Sequence, residues 1–99
     1  MRIYSGSEEQ ANRLSGFFAE YLRPVQVRHG ARLVGRWRSP DHRVFAVWEY
    51  NDIAHYEAVQ LGVSSDPDSA EARRIRATMP PLYDSVEELI LEADPRGRG

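Results

Sequence analysis

His29–Asp52, HGARLVGRWRSPDHRVFAVWEYND, decides the fold. Gly30 suits the left-handed residue just past a helix end, with Arg28 and His29 in that helix's last turn. Ala31 to Ser39 then alternates Leu33, Gly35 and Trp37 against Val34, Arg36 and Arg38, the period of a strand. Pro40-Asp41-His42-Arg43 carries turn chemistry. Val44 to Tyr50 alternates Val44, Ala46, Trp48 and Tyr50 against Phe45, Val47 and Glu49, and Asn51 or Asp52 caps the next helix. A four-residue turn predicts Ser39 opposite Val44, Gly35 opposite Trp48, Trp37 opposite Ala46 and Leu33 opposite Tyr50. Arg36 then faces Val47, diagonal to Glu49. The second strand is apolar on both faces, so it must be covered twice. The chain's own helices can cover one face. In a chain of 99 residues, a second copy is the simplest cover for the other, and a homodimer is expected.

Outward from this hairpin, Met1 to Tyr4 reads as a short strand. Ser7 and Gln10 fit a capping box, with Glu8 and Glu9 at the positive end of the helix dipole. Ala11, Leu14, Phe17, Phe18 and Tyr21 recur at helical spacing, and Pro24 is expected to interrupt or kink that helix. Ile53, Tyr56 and Val59 mark a second helix, which Gly62 is expected to end. Asp66-Pro67 opens a third, running to about Thr78, and Pro80-Pro81 stops it. Asp84 to Glu92 reads as the last strand. Residues 1–93 form one domain and 94–99 a disordered tail. The predicted class is α+β: a ferredoxin-like βαββαβ antiparallel sheet with helices on one face.

Thirteen basic against fifteen acidic side chains give a net charge of −2, too balanced for an electrostatic nucleic-acid binder. The absence of cysteine rules out disulfides and thiolate chemistry. No basic–apolar leader and no apolar run of membrane length are seen, so a cytoplasmic protein without membrane association is expected.

The chain resembles the NIPSNAP family of the dimeric α+β barrel superfamily, from Arg2 to about Leu91. The resemblance rests on Arg2-x-Tyr4, on Arg28-His29-Gly30 followed by Leu33-Val34-Gly35-x-Trp37, and on Trp48-Glu49-Tyr50 leading to the Asp66-Pro67 helix start. It implies a homodimer whose sheets pack into a barrel. It implies no reaction, since superfamily relatives range from cofactor-independent monooxygenases to haem-degrading enzymes and isomerases.

Trp37, Trp48 and Tyr50, with Gly35 between them, are the main candidate constellation. They are either core packing or the wall of a pocket for a small apolar or aromatic ligand, with Tyr21, Tyr56 and Arg36 adding polar groups. The alternative is a cofactor-independent monooxygenase or isomerase acting on a small aromatic or polyketide-like substrate. His29, His55 or Glu49 would then move the proton. His29, His42 and His55 lack the spacing of a metal site, and no metal or cofactor is expected. The run Glu71-Ala-Arg-Arg-Ile-Arg76 reads as a solvated helix face.

Overall fold

A computed structural model describes residues 1–92. The order is β1 (Arg2–Ser5), α1 (Glu8–Phe17), a π-helical segment (Phe18–Leu22), α2 (Arg23–Arg28), β2 (Arg32–Arg38), β3 (Val44–Glu49), α3 (Ile53–Ser65), α4 (Pro67–Arg76) and β4 (Ser85–Glu88). The strands form one antiparallel sheet in the order β2-β3-β1-β4, the ferredoxin-like arrangement expected from the sequence. The tail expected at 94–99 lies outside the described residues.

Local chemistry explains most boundaries. The capping box forms: the Gln10 amide donates to Ser7 Oγ at 3.1 Å, and the Ser7 amide donates to Gln10 Oε1 at 2.7 Å. Pro24 neither breaks nor ends the first helical run. Its ring needs room at the preceding turn, and the ladder opens into the π-helical segment just before it, where the Arg23 amide reaches the Phe18 carbonyl. Gly30 has φ +105°, as expected past the end of α2. Gly62 does not end its helix, since α3 continues to Ser65. It is instead a point of close approach, where a Cβ would lie 2.5 Å from His29 Nδ1. β4 is shorter than Asp84–Glu92. Its last sheet bonds join Leu89 to Met1, each 2.8 Å.

The hairpin register differs from the expected one. The loop closes over Ser39–Arg43, with the His42 amide donating to the Ser39 carbonyl and the Ser39 amide to the Arg43 carbonyl, each at 2.9 Å. His42 takes φ +68°, the left-handed position that follows a type I turn in three-residue hairpin loops. The loop is one residue shorter than expected, which pairs Arg38 with Val44, Trp37 with Phe45 and Arg36 with Ala46. A bulge at Val34 then brings Leu33 opposite Trp48. Trp37 and Trp48 therefore lie on opposite faces of the sheet, and Arg36 points toward the helices. Left-handed backbone costs an L-residue roughly 1–2 kcal/mol, so His42→Gly is expected to raise stability by about 1 kcal/mol in urea unfolding. An unchanged or lowered midpoint would contradict this account of the loop.

On the inner face Tyr4, Val44 and Ala46 pack under Leu14 and Phe17 of α1 and against Leu82, all nearly excluded from water. The outer face carries Trp37 and Val34, 55% and 57% exposed, beside the half-buried Ile3, Phe45 and Val47. The Trp37 ring lies over Gly35, where a Cβ would come within 2.7 Å of it. The third strand is thus apolar on both sides, and among the described residues no helix covers its outer side.

Candidate functional site

Space inside the molecule follows from how the helices are seated. α1 packs on the sheet, whereas α3 and α4 pack against each other, α2 and the π-helical segment. Ser69, Ala72, Arg73 and Arg76 recur at i, i+3, i+4 and i+7 and form the stripe of α4 that borders this space, beside Ile75, which packs on the core. Small and cationic side chains there cannot fill the gap to the sheet. Two adjoining cavities of about 240 and 250 Å³ result. The first is walled by Tyr21, Val25 and Val63 with Gln26 and Gln60. The second is walled by Leu14, Leu82, Tyr83 and Val86. Arg2, Phe17, Leu22 and Arg76 line both.

The polar groups at the edge of this space are largely engaged with one another. Arg2 Nε lies 3.4 Å from the Glu88 carboxylate, and its Nη2 donates to Gln60 Oε1 at 3.4 Å. The Gln60 amide donates to Gln26 Oε1 at 3.3 Å and to the Tyr50 hydroxyl at 3.4 Å. Tyr56 donates its hydroxyl to Glu88, which pushes the phenol pKa up to about 12. Burial raises that of Tyr50. Both phenols are therefore protonated at neutral pH and are not bases. The Arg76 guanidinium sits 4.7 Å from the centre of the Tyr83 ring. Among the described residues, neither Arg73 nor Arg76 has a carboxylate within 4 Å.

Of the residues expected to line a pocket, Tyr21 alone does so. Trp37 is on the outer face. Trp48 packs on Phe18 with ring centres 5.9 Å apart, and Arg36 stacks on the same ring at 4.3 Å. Arg36 donates to Ser15 Oγ at 3.4 Å, while its Nε and Nη2 are buried without partners. Burial lowers its pKa. Tyr50 and Tyr56 meet edge to face at 5.0 Å beside the Arg2–Glu88 pair. Glu49 does not meet Arg36. It pairs with Arg32 at 3.1 Å and is 55% exposed, so the burial that would make it a base is absent.

His29 and His55 serve the helices. His55 Nδ1 accepts from the Asn51 amide at 2.9 Å, and the His55 amide donates to the capping Asp52 at 2.7 Å. His29 Nε2 lies 2.7 Å from the carboxylate of Asp66, the N-cap of α4, which also receives Arg28 at 2.7 Å. The His29 hydrogen bond, followed by the Asp68 amide and Arg28, holds the Asp66 pKa down at about 2. A carboxylate depressed on folding adds stability above its unfolded pKa of about 3.9, and that stability is lost as pH falls toward the folded value. Asp66→Asn keeps the cap and removes the charge. Its deficit in urea unfolding is expected to be full at pH 5 and to shrink toward pH 2. A deficit independent of pH would contradict the assignment. Among the described residues no group of three or more His, Cys, Asp or Glu is placed to hold a metal ion. No helix among them is long and apolar enough to cross a membrane.

Arg2, Arg73, Arg76 and Gln60 escaped the sequence reading as site residues. The available signal was the stripe of α4 next to its core-facing Ala72 and Ile75, where small and cationic side chains stand in place of apolar ones.

Sheet order, the one-sided helical layer and an open cleft beneath α4 define a ferredoxin-like α+β domain. The chain belongs to the NIPSNAP family, whose model matches residues 1–93. The fold is similar to the crystal structure of an uncharacterized NIPSNAP domain protein from Burkholderia xenovorans. That match has a TM-score of 0.76 at 18% identity and covers 95% of this chain and 91% of that one. None of the curated proteins matches.

Proposed function

We propose that this protein binds a small, largely apolar molecule between its helices and its sheet, and does so as a homodimer. The observation that carries the binding reading is the pair of cavities beneath α3 and α4, apolar along Phe17, Leu22 and Leu82 with a few convergent polar groups. The outer face supports the dimer. Trp37, Val34, Phe45 and Val47 form an apolar centre, with Arg43 stacked 5.4 Å from the Phe45 ring. An apolar centre with charge beside it is the anatomy of an interface, and the NIPSNAP resemblance implies a second copy there. Binding is preferred to a cofactor-independent oxygenase or isomerase because His29, His55 and Glu49 line neither cavity.

Two measurements test this reading. Native mass spectrometry is expected to give twice the chain mass, and a monomer at micromolar concentration would overturn the dimer. The neutral naphthalene dye prodan is expected to brighten on binding and to be excluded by Ser69→Phe, which fills the first cavity. Equal brightening with both proteins would place the dye elsewhere and sink the cavity reading.

A further inference from the structure

We propose that the ligand is a carboxylic acid with an apolar body, and that Arg76, supported by Arg73 and Arg2, recognises its carboxylate. The proposal rests on the cavity reading above and names the chemical class that the cavity selects.

The charge distribution is the first argument. The chain as a whole carries −2, yet Arg2, Arg73 and Arg76 line the cavities against one described carboxylate, Glu88. Glu88 is already engaged by Arg2 and by the Tyr56 hydroxyl. Arg73 and Arg76 therefore turn toward this space two positive charges that no described carboxylate offsets. The rest of the same helix behaves differently. Arg74, one residue on from Arg73, is paired with Glu71 and lines neither cavity. The basic run thus divides into an internally neutralised part and a part that borders the mouth of the cavities.

Position and shape give the second argument. Arg2 and Arg76 are the cations common to both cavities. Arg76 and Arg73 are exposed, whereas Leu14 and Leu82 at the far wall are fully buried. Charge at the mouth and apolar side chains at depth suit a molecule with one anionic head and an apolar body. The fork of a guanidinium matches a carboxylate through two parallel hydrogen bonds. The Tyr83 ring under Arg76 holds that fork partly in place before binding, which reduces the ordering cost. Glu88 beside Arg2 makes the site unfavourable for a doubly charged phosphate and leaves room for a monoanion. The volumes lie just below the roughly 300–1,000 Å³ of pockets that enclose drug-sized ligands, so a medium-chain or single-ring acid is the scale of ligand.

The test is calorimetric titration of the full chain at pH 8 with octanoate, 1-octanol and octyl phosphate. Octanoate is expected to bind about tenfold more tightly than 1-octanol, the discrimination that one charge-assisted hydrogen bond supplies. Arg76→Gln is expected to abolish that preference, and Arg74→Gln to leave it intact. Equal affinities for octanoate and 1-octanol, or an unchanged preference in Arg76→Gln, would overturn carboxylate recognition while the cavity reading stands. Tighter binding of octyl phosphate would also overturn it, by reassigning the head group. If octanoate, 1-octanol and prodan all fail to bind, it is the cavity reading that falls.

Discussion

Trp37→Glu is expected to turn the proposed dimer into monomers without unfolding the chain. Trp37 is 55% exposed, and its ring lies over Gly35 at the apolar centre of the outer face. Within one chain this ring excludes little water, so its loss should cost the monomer no more than about 1 kcal/mol, the usual scale for surface substitutions. Across an interface the same ring is the kind of anchor whose truncation costs 2 kcal/mol or more. A glutamate there must also be desolvated against apolar neighbours without a fixed partner, which adds to the loss. The dimer dissociation constant should rise by roughly a hundredfold or more, since each 1.4 kcal/mol is a factor of ten. Sedimentation velocity across a concentration series would show a single monomer species, with the far-ultraviolet circular dichroism of the parent. A variant that stays dimeric would move the interface away from this face. A variant that unfolds would show that Trp37 belongs to the monomer core.

The parts of the fold that could be read in the sequence are those governed by local chemistry. Ser7 with Gln10, Gly30, and Asp66 before Pro67 each state a helix end through a hydrogen bond or a backbone angle that few residues supply, and the structure places each there. The strand alternation was equally plain. What could not be read was the phase between two alternating strands. The phase rests on a left-handed His42, a conformation that nothing in Pro40-Asp41-His42-Arg43 announces, and on a bulge at Val34 whose one mark in the sequence, the adjoining Gly35, reads equally well as space opposite Trp48. Because side chains alternate, one residue of slip exchanged the faces of Trp37 and Arg36. That β3 is apolar on both faces did not depend on the phase, because Phe45 and Val47 are apolar as well as Ala46 and Trp48.

The candidate site was less legible, and for a different reason. Aromatic residues draw attention in a sequence, but Trp48 is used to pack Phe18, and Tyr50 and Tyr56 to pack each other. A cavity is a place where side chains are too small or too polar to fill the space between layers. It is marked by what a stripe lacks. Ser69, Ala72, Arg73 and Arg76 form such a stripe, yet in the sequence they merge with Arg74 and Glu71 into what looks like a solvated face. Arg2 was read only as the residue alternating with Ile3, and its place at the cavity depends on the pairing of β1 with both β3 and β4.

Trp48→Ala is expected to destabilise the protein by about 3 kcal/mol, the lower end of the range for a large aromatic truncated in a core. The lower end applies because Trp48 is half-buried. Its ring supports Phe18, whose own ring carries the Arg36 guanidinium at 4.3 Å, and Phe18 begins the π-helical segment on which α4 rests. Losing the indole therefore leaves a void beneath Phe18 and loosens the platform for a half-buried cation whose Nε and Nη2 already lack partners. The loss belongs to the single chain. It should appear undiminished in urea unfolding of the Trp37→Glu monomer and show no dependence on protein concentration, whereas the effect of Trp37→Glu on association is concentration-dependent by nature. The two tryptophans, eleven residues apart in one hairpin, would then report separately on the two faces of the sheet. A loss below about 1 kcal/mol, within the scatter of surface substitutions, would mean that Trp48 is not part of the inner packing and that the face assignment set by the His42 loop is wrong.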